Sequence, residues 1–169
     1  ESWEGGWRSM MASKLGLSVS ESPIDESLLE ELTEILALVE TDMTIFFRRL
    51  ADVPADSTES AFDILSDAYY LPEQLDSDYR ERLEAWIVRY RRALQVGGSV
   101  DEERRARMNG VNPKYVLRNA LAQQAIDKAE AGDPSLVIEL LDLLRRPYEE
   151  QPEREKFAVR RPEWARDRP

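Results

Sequence analysis

The chain has 169 residues, with 34 acidic against 23 basic side chains and a formal net charge of −11. That length suits one domain, or one domain with a tail, and the acidic balance argues against a nucleic-acid-binding surface, which carries a basic excess. Cysteine and histidine are both absent, which excludes disulfides, zinc fingers, thiol nucleophiles and Ser–His–Asp triads within these residues.

No run of about 18 apolar residues exists, so no membrane span is expected. No signal peptide is visible, and a first residue of Glu1 rather than Met leads to the expectation that the chain begins inside a longer protein. Two arginine groups stand out, Arg89, Arg91 and Arg92, then Arg104, Arg105 and Arg107. Both are read as solvated helix faces with acidic partners three or four residues away.

In chain order, Trp3, Trp7, Met10, Met11 and Leu15 are spaced for one face of a first helix. Gly5-Gly6 weakens its start and Gly16 serves as its C-terminal cap. A polar loop over Ser18 to Pro23 follows. Asp25 is an N-cap for a helix with the stripe Leu28, Leu29, Leu32, Ile35, Leu36 and Val39. Asp42 starts a short helix that buries Met43, Phe46, Phe47 and Leu50 and ends at Pro54.

Asp56-Ser57-Thr58-Glu59 fits a capping box ahead of Phe62, Leu65, Ala68 and Tyr69. From Ser77 runs the strongest amphipathic stripe: Tyr79, Leu83, Trp86, Ile87, Tyr90 and Leu94, closed by Gly97-Gly98. Ser99-Val100-Asp101-Glu102 is a second capping box, opening a short basic helix to Met108, and Asn109-Gly110 is a turn. Asn112-Pro113 then reads as the start of a central helix running to Ala131 and rich in small residues. Gly132-Asp133-Pro134 stops it and opens a last helix with Leu136, Val137, Leu140, Leu141 and Leu144. A link this short predicts an αα-hairpin.

The predicted architecture is all-α: an irregular multi-helix domain over residues 1–146 ending in that hairpin. An extended Pro-rich C-terminal tail over 147–169 packs on it through Tyr148, Phe157 and Trp164, its last residues loose. No strand is expected.

Chemistry-bearing patterns are sparse. Asp52 to Asp63 has a proline and no glycine where a calcium loop needs one, and Asp76-Ser77-Asp78 lacks downstream ligands. No Gly-rich phosphate loop is present, so these residues are not expected to bind a nucleotide by themselves. The aromatic pairs Trp86/Tyr90 and Phe46/Phe47 are assigned to the core. Trp3 and Trp7 are candidates for packing on a further domain.

Several motifs together carry a resemblance. Arg107-Met108-Asn109-x-Val111-Asn112-Pro113-Lys114-Tyr115-Val116-Leu117-Arg118-Asn119, with Ala122 to Ile126 and Ala129-Glu130-x-Gly132-Asp133, resembles the C-terminal region of the selenoprotein O (SelO, YdiU) family. Arg145-Arg146-Pro147-Tyr148 with Glu150-Gln151-Pro152-Glu153, and the earlier Lys14-Leu15-Gly16-Leu17 and Asp42-Met43-Thr44-x-Phe46-Phe47-Arg48-x-Leu50, are similar to further family segments in the same order.

The resemblance implies a pseudokinase with a kinase-like fold. It would transfer AMP from ATP to hydroxyl side chains of proteins with Mg²⁺ or Mn²⁺, UMP transfer being also described for bacterial members. It implies that the nucleotide-binding, metal-binding and catalytic residues lie N-terminal to this region, so no catalytic, cofactor-binding or metal residue is carried over here. The Cys- or selenocysteine-containing tail of many members has no counterpart before Pro169. Asn112, Pro113, Arg118 and Asn119 are the motif residues expected to have a structural role, in an inter-helix or interdomain polar network.

The implied partners are the kinase-like N-terminal part of the same protein and protein substrates, with no nucleic acid and no membrane. The implied location is cytoplasmic in a bacterium and mitochondrial in a eukaryote. The alternative is an autonomous helical protein-interaction module with no enzymatic role.

Overall fold

A computed structural model describes residues 3–17, 25–98 and 100–166. Eight α-helices occur among them: α1 (Trp3–Leu15), α2 (Glu26–Leu38), α3 (Met43–Leu50), α4 (Phe62–Leu65), α5 (Ser77–Val96), α6 (Asp101–Val111), α7 (Asn119–Glu130) and α8 (Ser135–Leu144). Short 3-10 turns lie at Ser66–Ala68, Pro72–Gln74, Pro152–Phe157 and Glu163–Ala165. The fold is all-α among the described residues. Its one extended pairing is an isolated bridge between Thr41 and Tyr69.

The helices form two compact units, Glu1–Asn112 and Pro113–Pro169. In the first, three aspartates start helices, Asp25 and Asp42 as the sequence predicts and Asp76 in addition. Asp25 accepts from the Ser27 N–H, Asp42 from Ile45 and Asp76 from Tyr79, each satisfying a donor of the first turn that has no helical partner. Helix α5 has 20 residues, about 30 Å at 1.5 Å per residue. It buries Tyr79, Leu83, Trp86, Ile87, Tyr90 and Leu94 in one core with Leu28, Leu29, Leu32 and Ile35 of α2, the helix it packs on, and with Phe46, Phe47 and Leu50 of α3. Each large apolar side chain removed from water contributes about 1.5–3 kcal/mol, so this stripe organises the unit. The Trp86 indole stacks on Tyr90 with centroids 5.1 Å apart and donates to the Leu28 carbonyl at 2.8 Å.

In the second unit, Tyr115, Ala125, Leu136, Leu140, Leu143 and Phe157 close a smaller core. Helices α7 and α8 share it, joined by residues 131–134 with Gly132 at φ +88°. The Asp133 carboxylate accepts from the Ser135 N–H. The contacts thus divide at Asn112/Pro113, whereas the sequence reading places its division at residue 146.

Several expectations need correction. The central helix does not start at Asn112-Pro113; α7 starts at Asn119. The Lys114 and Tyr115 N–H groups both donate to the Pro147 carbonyl, at 2.8 and 3.1 Å, which holds this stretch out of a helix. Asn109-Gly110 is not a turn, because α6 runs through it to Val111; one glycine costs a helix about 1 kcal/mol, less than the packing of α6 returns. The Asp56–Glu59 capping box does not form. Ser57 Oγ accepts from the Glu59 N–H and Ser60 Oγ from Phe62 instead. Helix α3 stops at Leu50, before Pro54.

Met10 and Met43 are exposed rather than buried, as are Val137 and Leu141. Of the three tail anchors only Phe157 is buried; Tyr148 and Trp164 are about half exposed. The Trp3 side chain, the loop over Ser18 to Pro23, the Ser99 cap and the chain's last three residues lie outside the described residues.

Candidate functional site

The two arginine groups provide the largest departure from the sequence reading. Arg104 and Arg91 are buried, at 1% and 6% exposure. An unpaired buried charge is costly and must be bonded. Both meet that need on the segment that follows α3. Arg104 Nη2 donates to the Val53 carbonyl at 2.6 Å and to Asp101 Oδ1 at 2.9 Å. Arg91 donates from Nε to the Pro54 carbonyl at 3.0 Å and from Nη1 to the Glu59 carbonyl at 2.8 Å. Gln95 donates to the Ala55 carbonyl at 2.8 Å, and the Asp101 carboxylate accepts from the Ala55 N–H. Four side chains from α5 and α6 therefore clamp the backbone of residues 53–59.

The guanidinium also faces inward. Arg104 Nη1 donates to the Tyr90 hydroxyl at 3.3 Å, and that hydroxyl donates to the Leu15 carbonyl at the end of α1 at 2.8 Å. Burial raises the Tyr90 phenol to about 12, against a smaller lowering by the Arg104 charge. Gly16 caps α1 at φ +67°, and a Cβ there would lie 2.8 Å from Arg104 Cγ and 2.9 Å from the Met108 side chain.

Beside this clamp is a second polar cluster, centred on Asn112. Its side chain is 1% exposed. Its amide nitrogen donates to the Lys14 carbonyl at 2.9 Å, and its amide oxygen accepts from Lys14 Nζ at 3.1 Å. Arg48 Nη1 on α3 donates to the carbonyls of Asn109 and Asn112, both at 3.3 Å. The end of α6 is thereby tied to α1 and α3.

The second unit repeats the device around the neutral side chains of Gln151 and Tyr115, with Arg154 at its edge. Gln151 is 3% exposed and donates to the carbonyls of Leu143 and Arg146 at the end of α8. The Tyr115 hydroxyl donates to the Gln151 carbonyl at 3.1 Å and accepts from its N–H at 3.3 Å. Arg154 bridges Gln151 Oε1 and Asp142.

Of the four motif residues, Asn112 lies in the first unit and Pro113, Arg118 and Asn119 in the second. Pro113 is half-buried in the extended link. The half-buried Arg118 precedes α7 and its carbonyl accepts from Ala122, while Asn119 is exposed. The sequence reading missed Arg91, Arg104 and Gln151. Arg104 carried one local signal, a place three residues after Asp101 on the same helix face.

Most of these bonds end on backbone carbonyls and amides, so their arrangement holds helices and loops together. Metal binding requires convergent donors. The chain has no His or Cys, and no three of its carboxylates converge on one point among the described residues. No helix among them is long and apolar enough to cross a membrane.

Comparison with known proteins gives a consistent family. The model of the family described as protein adenylyltransferase SelO matches residues 1–145. A protein nucleotidyltransferase YdiU from Rhodopirellula baltica is 49% identical over 180 aligned positions, covering 100% of this chain and 33% of the relative. The protein of the same name from Nitrosospira multiformis is 42% identical over 100% of this chain and 34% of its own length. That from Aromatoleum aromaticum is 47% identical over 95% of this chain and 30% of its own. The chain spans about a third of the length of the curated relatives it matches.

Proposed function

Because the chain belongs to the protein adenylyltransferase SelO family, we propose that it is the C-terminal helical part of a pseudokinase that transfers AMP from ATP to hydroxyl side chains of proteins. UMP transfer is the variant of the same chemistry. On this reading the 169 residues are a scaffold that braces the kinase-like part of the same polypeptide and helps to place protein substrates. ATP with Mg²⁺ or Mn²⁺ would be held by that kinase-like part. A cytoplasmic location goes with this reading, the three relatives compared being bacterial.

The observation that carries the proposal is the family match over residues 1–145 in a chain that equals only a third of its relatives. Two structural features support the bracing role. The buried charged groups are engaged by backbone atoms of the fold itself. Helix α8 is apolar outward as well as inward, with Val137, Ile138 and Leu141 exposed opposite its buried Leu136, Leu140 and Leu143. Glu139 and Asp142 of the same helix are paired with Lys156 and Arg154, which leaves these three apolar side chains as its exposed strip.

The test is ATP–Mg²⁺ titration and labelled-AMP transfer, on this chain and on the longest polypeptide its gene encodes. Binding and transfer in the longer polypeptide alone is the expected result. Tight ATP binding by the 169 residues would overturn the scaffold assignment. A longer polypeptide without nucleotide binding or transfer would overturn the enzymatic one and leave the interaction module.

A further inference from the structure

The chain has four lysines, and three face carboxylates. Lys114 is held between Glu150 and Glu155, Lys128 lies 3.9 Å from Asp133, and Lys156 lies 2.9 Å from Glu139. Lys14, half-buried in the last turn of α1, differs in kind. Its amine donates to the amide oxygen of Asn112 at 3.1 Å and sits 4.7 Å from the centroid of the Phe47 ring. No carboxylate of a described residue pairs with it. Arg48, bonded to the Asn112 carbonyl, and Arg104, packed by Gly16 and itself paired with Asp101, also reach this corner. Both are cations.

We propose that Lys14 is a site of acylation by acyl thioesters, its half-buried amine being poised against a neutral amide and a phenyl ring instead of an anion. The nucleophile in this reaction is the uncharged amine, so the environment decides which lysine reacts. Burial lowers the Lys14 ammonium from its ordinary value. At Lys114 burial acts the same way, but the two glutamates outweigh it and the net shift is upward. Lys14 Nζ attacks the thioester carbonyl carbon. The C–N amide bond forms, the C–S bond breaks, and the departing thiolate takes up the proton released from nitrogen. The product is neutral and keeps one N–H to donate to Asn112 Oδ1, so acylation removes a half-buried charge without emptying the hydrogen bond.

The test uses the folded full chain, with isotope-labelled acetyl-coenzyme A as the probe, at mildly alkaline pH. Peptide mass spectrometry follows each of the four lysines, and a parallel reaction runs in concentrated urea. Lys14 is expected to label several-fold faster than Lys128 and Lys156 in the folded chain, and at their rate in urea. Lys14 labelling no faster than Lys128 in the folded chain would overturn the proposal. So would a preference that persists in urea, because it would then come from local sequence and not from the Asn112–Phe47 environment.

Discussion

Arg104 Nη2 donates a 2.6 Å hydrogen bond to the carbonyl oxygen of Val53, 51 residues earlier in the chain. The same guanidinium reaches Tyr90, whose hydroxyl holds the end of α1, so one side chain on α6 joins α1, α5 and the segment after α3. Replacing Arg104 by Met keeps the aliphatic packing and removes the donors. Hydrogen bonds to a charged group are worth about 1.5–3 kcal/mol each and buried acceptors are left bare, so Arg104→Met should cost about 3 kcal/mol. Urea unfolding followed by circular dichroism should show a lower midpoint with an unchanged slope. A midpoint within error of the parent would mean the clamp is not stabilising.

Gly16 and Gly98 both have positive φ, +67° and +61°, but only Gly16 is enclosed. Gly98→Ala should cost about 1 kcal/mol, the strain of a left-handed backbone with a Cβ. Gly16→Ala adds a clash with Arg104 and Met108, and should cost at least about 2 kcal/mol. Thermal unfolding of the two variants side by side checks the order; equal losses would refute it.

Asn112 and Asn119 belong to one sequence motif yet have opposite surroundings. Asn112→Ala removes both bonds to Lys14 and leaves the Lys14 carbonyl without that donor, for a loss of about 1–3 kcal/mol. Asn119→Ala, at an exposed position, should stay within about 0.5 kcal/mol of the parent. Denaturant midpoints measure the contrast directly.

At alkaline pH the buried phenols dominate. Burial raises Tyr90 to about 12 and also raises Tyr69 and Tyr79. The folded chain therefore keeps protons that the unfolded chain loses near pH 10. Their contribution is fully present below pH 10 and is lost as pH climbs from there through the folded value of Tyr90. Lys14, lowered on folding, has the opposite sign below its ordinary pKa of 10.5, but it stands alone against these three phenols together with Tyr115 and Lys114, both also raised on folding. Unfolding midpoints at pH 8, 9, 10 and 11 should be flat and then fall. A rise above pH 10 would contradict the burial of these hydroxyls.

The sequence by itself determined the all-α class, the caps at Asp25 and Asp42 and the buried stripes of α2 and α5. Its motifs also determined the family. Each of these is written within a few residues: a cap needs an acceptor two or three positions before a free N–H, and a stripe needs a 3.6-residue period. Tertiary structure alone decided which arginines are buried. Arg104 and Arg105 are neighbours in one basic run, yet the first is sealed against Tyr90 and Val53 while the second is exposed beside Asp52. It also decided where α7 begins, because the N–H groups of Lys114 and Tyr115 are taken by the Pro147 carbonyl rather than by a helix. And it decided the setting of Lys14, whose amide partner Asn112 is 98 residues away. Partners that far apart leave no trace in local periodicity, since a hydrogen bond depends on position in space and not on separation along the chain.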